Sequence, residues 1–296
     1  MVTRRSCSAA CRAWISRRWQ RLPDILPPGL SRGFVYEPQK SRVIFGRATV
    51  QQLPEEARRL RMSRPLILST PEQAHQAVEI VRASGLDIAG SLPVAQMHTP
   101  VDVTERAVEQ ARQLGADGLI AIGGGSTIGL GKAIATRTGL DQIAVPTTYA
   151  GSEMTPILGE TAGGQKTTRR DPSILPETVI YDVDLTLGLP AEMSAISGLN
   201  AIAHAVEALY ANDRNPIVEQ MAEAAITALG HALPAILREP GNIAARTDAL
   251  YGAWLCGACL GQVSMALHHK LCHVLGGAFD LPHAQTHAII LPHATA

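Results

Sequence analysis

The spacing of apolar residues divides the chain into two stretches with different periods. Between residues 34 and about 188, short apolar runs alternate with amphipathic ones. Arg42-Val-Ile-Phe-Gly46 is a run closed by glycine and predicts a strand and a turn. Residues 53–61 carry helical spacing opened near Pro54, a residue suited to a helix's first turn. Residues 65–70 predict a buried strand, and Pro71-Glu72-Gln73 opens the helix after it. A strand over 87–94 follows, then a helix over 104–115 stopped by Gly115. Leu119-Ile-Ala-Ile122 predicts a strand that runs into three glycines, with a helix over 126–136 behind them. Residues 142–145 and 179–182 add two strands. Such alternation predicts a parallel sheet covered on both faces.

From Pro190 only the helical period remains, over 191–210, 216–237 and 244–267, and then in a broken stretch. The expected organisation is an α/β domain over 34–188 and an all-α domain over 189–296. Residues 1–33 fit neither: seven arginines there face one acid, Asp24. An unstructured extension is expected, with an arginine-rich, acid-poor targeting peptide as the alternative. Residues 291–296 read as the opening of another helix, so the all-α domain is expected to be incomplete at Ala296.

Composition narrows the class without choosing a function. A chain of 296 residues, 46% hydrophobic and 18% charged, can bury two ordinary cores. Its net charge of +0 argues against a nucleic-acid or anionic-membrane partner. No apolar run reaches the length of a membrane span. Five cysteines, two of them within the first eleven residues, make no disulfide framework, and a reducing cytoplasm is expected.

The first candidate chemistry is the turn Gly123-Gly124-Gly125-Ser126 between strand and helix. Absent Cβ atoms let a backbone approach phosphate oxygens, and the helix N-terminus adds free N–H groups and partial positive charge. A P-loop would need Gly at Ser126 and Ser or Thr at Ala133, and a G-x-G-x-x-G fingerprint would need Gly at Ile128. The turn is therefore a variant pyrophosphate loop, or a tight turn with no ligand. Thr147, Thr148, Gly151 and Ser152 follow the next strand and should reach the same sheet edge, where α/β folds bind ligands. Thr70, at the end of its strand, and Lys166 complete the candidate cofactor contacts.

The second is a set of imidazoles. Asn200 and His204 stand four apart on one helical face, as do His269 and His273, and His283 lies ten residues further on. Three convergent histidines suggest a divalent metal, although the amide of Asn200 is a poor fourth ligand. Cys256-Gly-Ala-Cys259 lacks a second pair and lies among small residues; it and Cys272 are read as packing.

Taken in order, Gly123-Gly-Gly-Ser126, Pro146-Thr-Thr148, Gly151-Ser-Glu153, Asp171-Pro-Ser-Ile-Leu-Pro176, Gly198-Leu-Asn-Ala-Ile-Ala-His204 and His273-x3-Gly277-x5-His283 resemble the iron-containing alcohol dehydrogenase superfamily. Leu68-Ser-Thr-Pro-Glu-Gln73, Gly164-Gln-Lys-Thr-Thr168 and the run from His268 to Gly276 resemble its maleylacetate reductase branch. The resemblance covers residues 34–296 and implies a Rossmann-like N-terminal domain, an all-α C-terminal domain and NADH or NADPH between them. It further implies that Asn200, His204, His269 and His283 occupy the metal positions, with His273 as a nearby catalytic histidine. The metal-dependent members carry Asp where Asn200 stands, so no metal is expected to be required. The implied reaction is reduction of the C=C bond of maleylacetate to 3-oxoadipate in aromatic degradation. Its dicarboxylate substrate calls for a cation, for which Lys270 is chosen, and a homodimer is possible. The alternatives are a metal-dependent alcohol dehydrogenase, a zinc hydrolase, and an inactive truncated remnant.

Overall fold

All six strands expected from the sequence form; the four central ones are apolar runs buried in the sheet, and the two edge strands are only part-buried. In the computed structural model the six are β1 (Arg42–Gly46), β2 (Leu66–Leu68), β3 (Gly90–Leu92), β4 (Leu119–Gly123), β5 (Gln142–Pro146) and β8 (Thr178–Asp182). They pair in parallel in the order β1-β8-β5-β4-β2-β3. Every residue of β2, β4, β5 and β8 is buried, as expected for a sheet covered on both faces. The structure describes residues 33–279 and 281–295. The arginine-rich extension predicted over 1–33 lies outside them, apart from Gly33.

Alternate strand residues feed two cores. Ile67, Ile120, Ile122, Ile143 and Val145 pack with Leu53 and Ala57 of α1 (Leu53–Arg59) and with Ala77 and Val81 of α2 (Ala74–Ala83). Leu68, Leu119, Ala121 and Val179 point to the other face. There they join α3 (Val101–Gln113), α4 (Gly125–Thr138), α5 (Ala191–Tyr210), α6 (Pro216–Arg238) and α7 (Ile243–Gln262). Two further helices follow, α8 (Leu267–Phe279) and α9 (His283–Thr295). Asn215 caps α6 by accepting from the N–H groups of Ile217 and Val218, and Asn242 caps α7 by accepting from Ala245 N–H. One core thus spans the sheet and helices α3 to α7, and residues 37–296 form one compact unit.

Two features depart from the sequence expectation. A hairpin of β6 (Ile157–Ala162) and β7 (Gln165–Arg170) stands apart from the main sheet, turned by Gly163 and Gly164 at φ +56 and +78. Its second strand is polar and exposed throughout, so it carries no apolar pattern. The helix expected over 244–267 breaks after Gln262, and α8 leaves at 96°. Two distant carboxylates stabilise the break. Asp213 accepts from Ser264 N–H and Oγ, and Glu207 accepts from Ala266 N–H at 2.8 Å. Among the described residues, no single helix is long and apolar enough to cross a membrane.

Candidate active site

The glycine turn lies at the C-terminal end of β4, where Gly123 pairs in register with Pro146 of β5. Gly123 has φ +155, and a Cβ there would stand 2.5 Å from Thr127 Oγ1 and 2.8 Å from Gln73 Oε1. Thr147 N–H donates to Gly123 O at 3.0 Å, and Gln73 Nε2 donates to Thr147 Oγ1 at 3.0 Å. The turn is thereby built around contacts only glycine permits. Gly125 is different: it is exposed at the first turn of α4, and an added Cβ would meet nothing closer than 3.8 Å. The hydroxyls of Ser69, Thr127 and Ser152 are buried without a partner. Buried polar groups are normally paired. Three orphaned hydroxyls beside a bare helix N-terminus are what an anionic ligand would satisfy, and a dinucleotide pyrophosphate fits that chemistry. Ser126, Thr148 and Thr70 lie half-buried around the same edge, and Gly124 stands against Thr148.

Gly151 has another use. With φ +74 it crosses α7 so closely that a Cβ would lie 3.0 Å from Ala253 O, while one on Gly257 would strike Gly151 O. Its place among the candidate cofactor contacts is thus explained by protein packing. The same crossing explains the small residues between Cys256 and Cys259. Both thiols are buried, and burial pushes Cys259 up to about 12. The loop from 152 to 157 is tied down by Lys132 of α4. Its buried ammonium donates to Ser152 O, to Thr155 O at 2.7 Å and to Ile157 O at 3.2 Å. Burial lowers its pKa to about 7, against the opposing charge of buried Glu153.

The imidazoles gather where α5, α8 and α9 meet. His204 stacks on His269 at 5.1 Å between ring centroids, and His273 lies 6.2 Å from His269 and 6.1 Å from His283. Asn200 and His204 are buried, and Asn200 Oδ1 and His204 Nδ1 have no partner. His204, His269, His273 and His283 are therefore brought together, with Asn200 one turn before His204 on α5. Glu207, His268 and His287 also lie against the cluster and are not among the site residues the sequence pointed to. His287, one turn beyond His283 on α9, lies 4.7 Å from His269 and 4.2 Å from His283. Glu207 contacts His269 Nδ1 and accepts from His269 N–H at 3.2 Å. The i, i+4 pair His283/His287 and the i, i+3 pair His204/Glu207 are the signals that could have found His287 and Glu207.

Burial is the main cause that lowers the pKa of His204, His273 and His283, and it brings His269 down to about 3. Lys166 on β7 adds to that lowering at His269, His273 and His283, so its charge acts on the imidazoles. Lys270 is exposed on α8. Glu207, accepting a hydrogen bond from His269 Nδ1–H, would leave Nε2 as a lone pair, the arrangement metal-bound histidines adopt.

Two family models match in sequence order: iron-containing alcohol dehydrogenase over residues 40–183, and the C-terminal part of the Fe-containing alcohol dehydrogenase family over 194–296. The chain is similar to maleylacetate reductase of Rhizobium sp. (strain MTP-10005), 58% identical over 263 residues, covering 89% of this chain and 75% of that protein. Maleylacetate reductase of Burkholderia cepacia is 56% identical over the same shares. The crystal structure of maleylacetate reductase from Agrobacterium tumefaciens superposes with a TM-score of 0.87 at 57% identity, covering 90% of this chain and 76% of that one.

Proposed function

Because the chain belongs to the iron-containing alcohol dehydrogenase family, we propose that it is an NAD(P)H-dependent oxidoreductase that reduces the C=C bond of maleylacetate to 3-oxoadipate. The observation that carries the choice of reaction is the 58% identity to a maleylacetate reductase along 263 residues.

The N-terminus of α4 and the orphaned hydroxyls of Thr127 and Ser152 would hold the pyrophosphate. Reduced nicotinamide, when bound, supplies a hydride. The acceptor is the alkene carbon β to the ketone, and negative charge then gathers on the ketone oxygen. A donor must meet that charge. Burial lowers the pKa of His204, His269, His273 and His283, which favours the neutral imidazole with one N–H each. Since Glu207 engages the Nδ1 side of His269, we assign the enolate contact or the proton delivery to His204 or His273. Lys166 is the better cation for a substrate carboxylate, because its charge acts on His269, His273 and His283.

A metal-dependent alcohol dehydrogenase is the second reading, and the Glu207–His269 contact favours it. We prefer reduction without a metal at these positions. Asn200 brings no charge, so a divalent ion held by it and three imidazoles would keep its full charge uncompensated. NADH and NADPH oxidation with maleylacetate tests the reading. Turnover lost to chelator and restored by ferrous iron would favour the dehydrogenase.

A further inference from the structure

We propose that His268, Cys272 and His287 form a zinc site that pins α9 to α8, separate from the four positions discussed above. His268 and Cys272 stand one turn apart on α8, and His287 comes across from α9. All three are buried. His268 Nε2 lies 3.1 Å from His287 Nδ1 and 3.6 Å from Cys272 Sγ, and the three ligand atoms lie within 4.8 Å of one another. Zinc binds sulfur at about 2.3 Å and imidazole nitrogen at about 2.0–2.1 Å, so a tetrahedral site has N-to-N edges of about 3.4 Å and S-to-N edges of about 3.5 Å. The two measured edges match those of a zinc tetrahedron to within a few tenths of an ångström.

The donor set points to the same ion. One thiolate and two imidazoles are borderline-soft ligands that suit zinc and not magnesium or calcium. The thiolate supplies the anionic charge that Asn200 does not. Binding releases the Cys272 thiol proton to the buffer, and no electron moves. His269, the residue after His268, contacts Glu207 and belongs to the neighbouring group.

The test is titration of the metal-free full chain with Co²⁺, which reports a thiolate ligand through near-ultraviolet charge-transfer absorption. The expected result is a band that saturates at one equivalent, is displaced by Zn²⁺, disappears in Cys272→Ser and persists in Asn200→Ala. No band, or one that survives Cys272→Ser, overturns the site. If that variant does not fold, zinc-edge X-ray absorption of the unmodified zinc-loaded protein gives the same decision. One sulfur at about 2.3 Å with nitrogen neighbours supports the site, and a shell of nitrogen and oxygen only overturns it.

Discussion

The glycine turn and the histidine cluster bury polar groups in opposite ways. Around the turn, backbone geometry and one buried lysine satisfy the loop carbonyls and leave a few buried hydroxyls without a partner. In the cluster, His204, His269, His273 and His283 lie ring to ring, with Glu207 against His269, and burial lowers their pKa values. The turn is thus suited to holding an anion in place. The cluster is suited to moving a proton, because a buried imidazole changes state once a charged substrate enters its surroundings. Binding and chemistry should therefore fail separately under mutation.

The largest expected effect is in the cluster. Replacing His273 or His204 by Ala should lower kcat about 10²–10⁴-fold while NADH affinity is kept, the usual worth of a general acid. If both variants keep near-normal kcat, the cluster is not the proton source. Next comes Lys132→Met, which strips the loop carbonyls of their donor and should cost about 3 kcal/mol in urea unfolding, the low end for breaking a buried charged network. An unchanged unfolding midpoint would show that the loop holds without it. Gly125→Val should act on binding alone. Its Cβ has room within the protein but enters the path to the helix N-terminus. We expect NADH affinity to fall at least tenfold, about the 1.5–3 kcal/mol of one charge-assisted hydrogen bond, with circular dichroism unchanged. Smallest is Lys166→Gln, which should raise KM for maleylacetate about tenfold, roughly one surface-accessible ion pair and its hydrogen bond, and leave kcat in place. A pure kcat effect would move Lys166 from binding to chemistry.

The same contrast governs what could be read from the sequence. The turn is made of neighbours, Gly123 to Thr127 and Thr147 to Ile157, so strand, glycine and helix signals name it directly. Gly151 was legible as special but not its reason, since α7 arrives about a hundred residues later in the chain to meet it at Gly257. The cluster is assembled from α5, α8, α9 and the charge of a hairpin with no apolar pattern. The family resemblance names His204, His269, His273 and His283, whereas Glu207 and His287 acquire their meaning only when the helices meet. The break between α7 and α8 is hidden for the same reason, being set by Asp213 and Glu207 from elsewhere in the chain.

The most direct measurement is the initial rate of NADH and NADPH oxidation with maleylacetate, set beside NAD⁺ and NADP⁺ reduction with simple alcohols in the presence of ferrous iron. The account predicts rapid oxidation of the reduced cofactor, one equivalent for each C=C bond lost, and no alcohol oxidation. Iron-dependent alcohol oxidation without turnover of maleylacetate would contradict it.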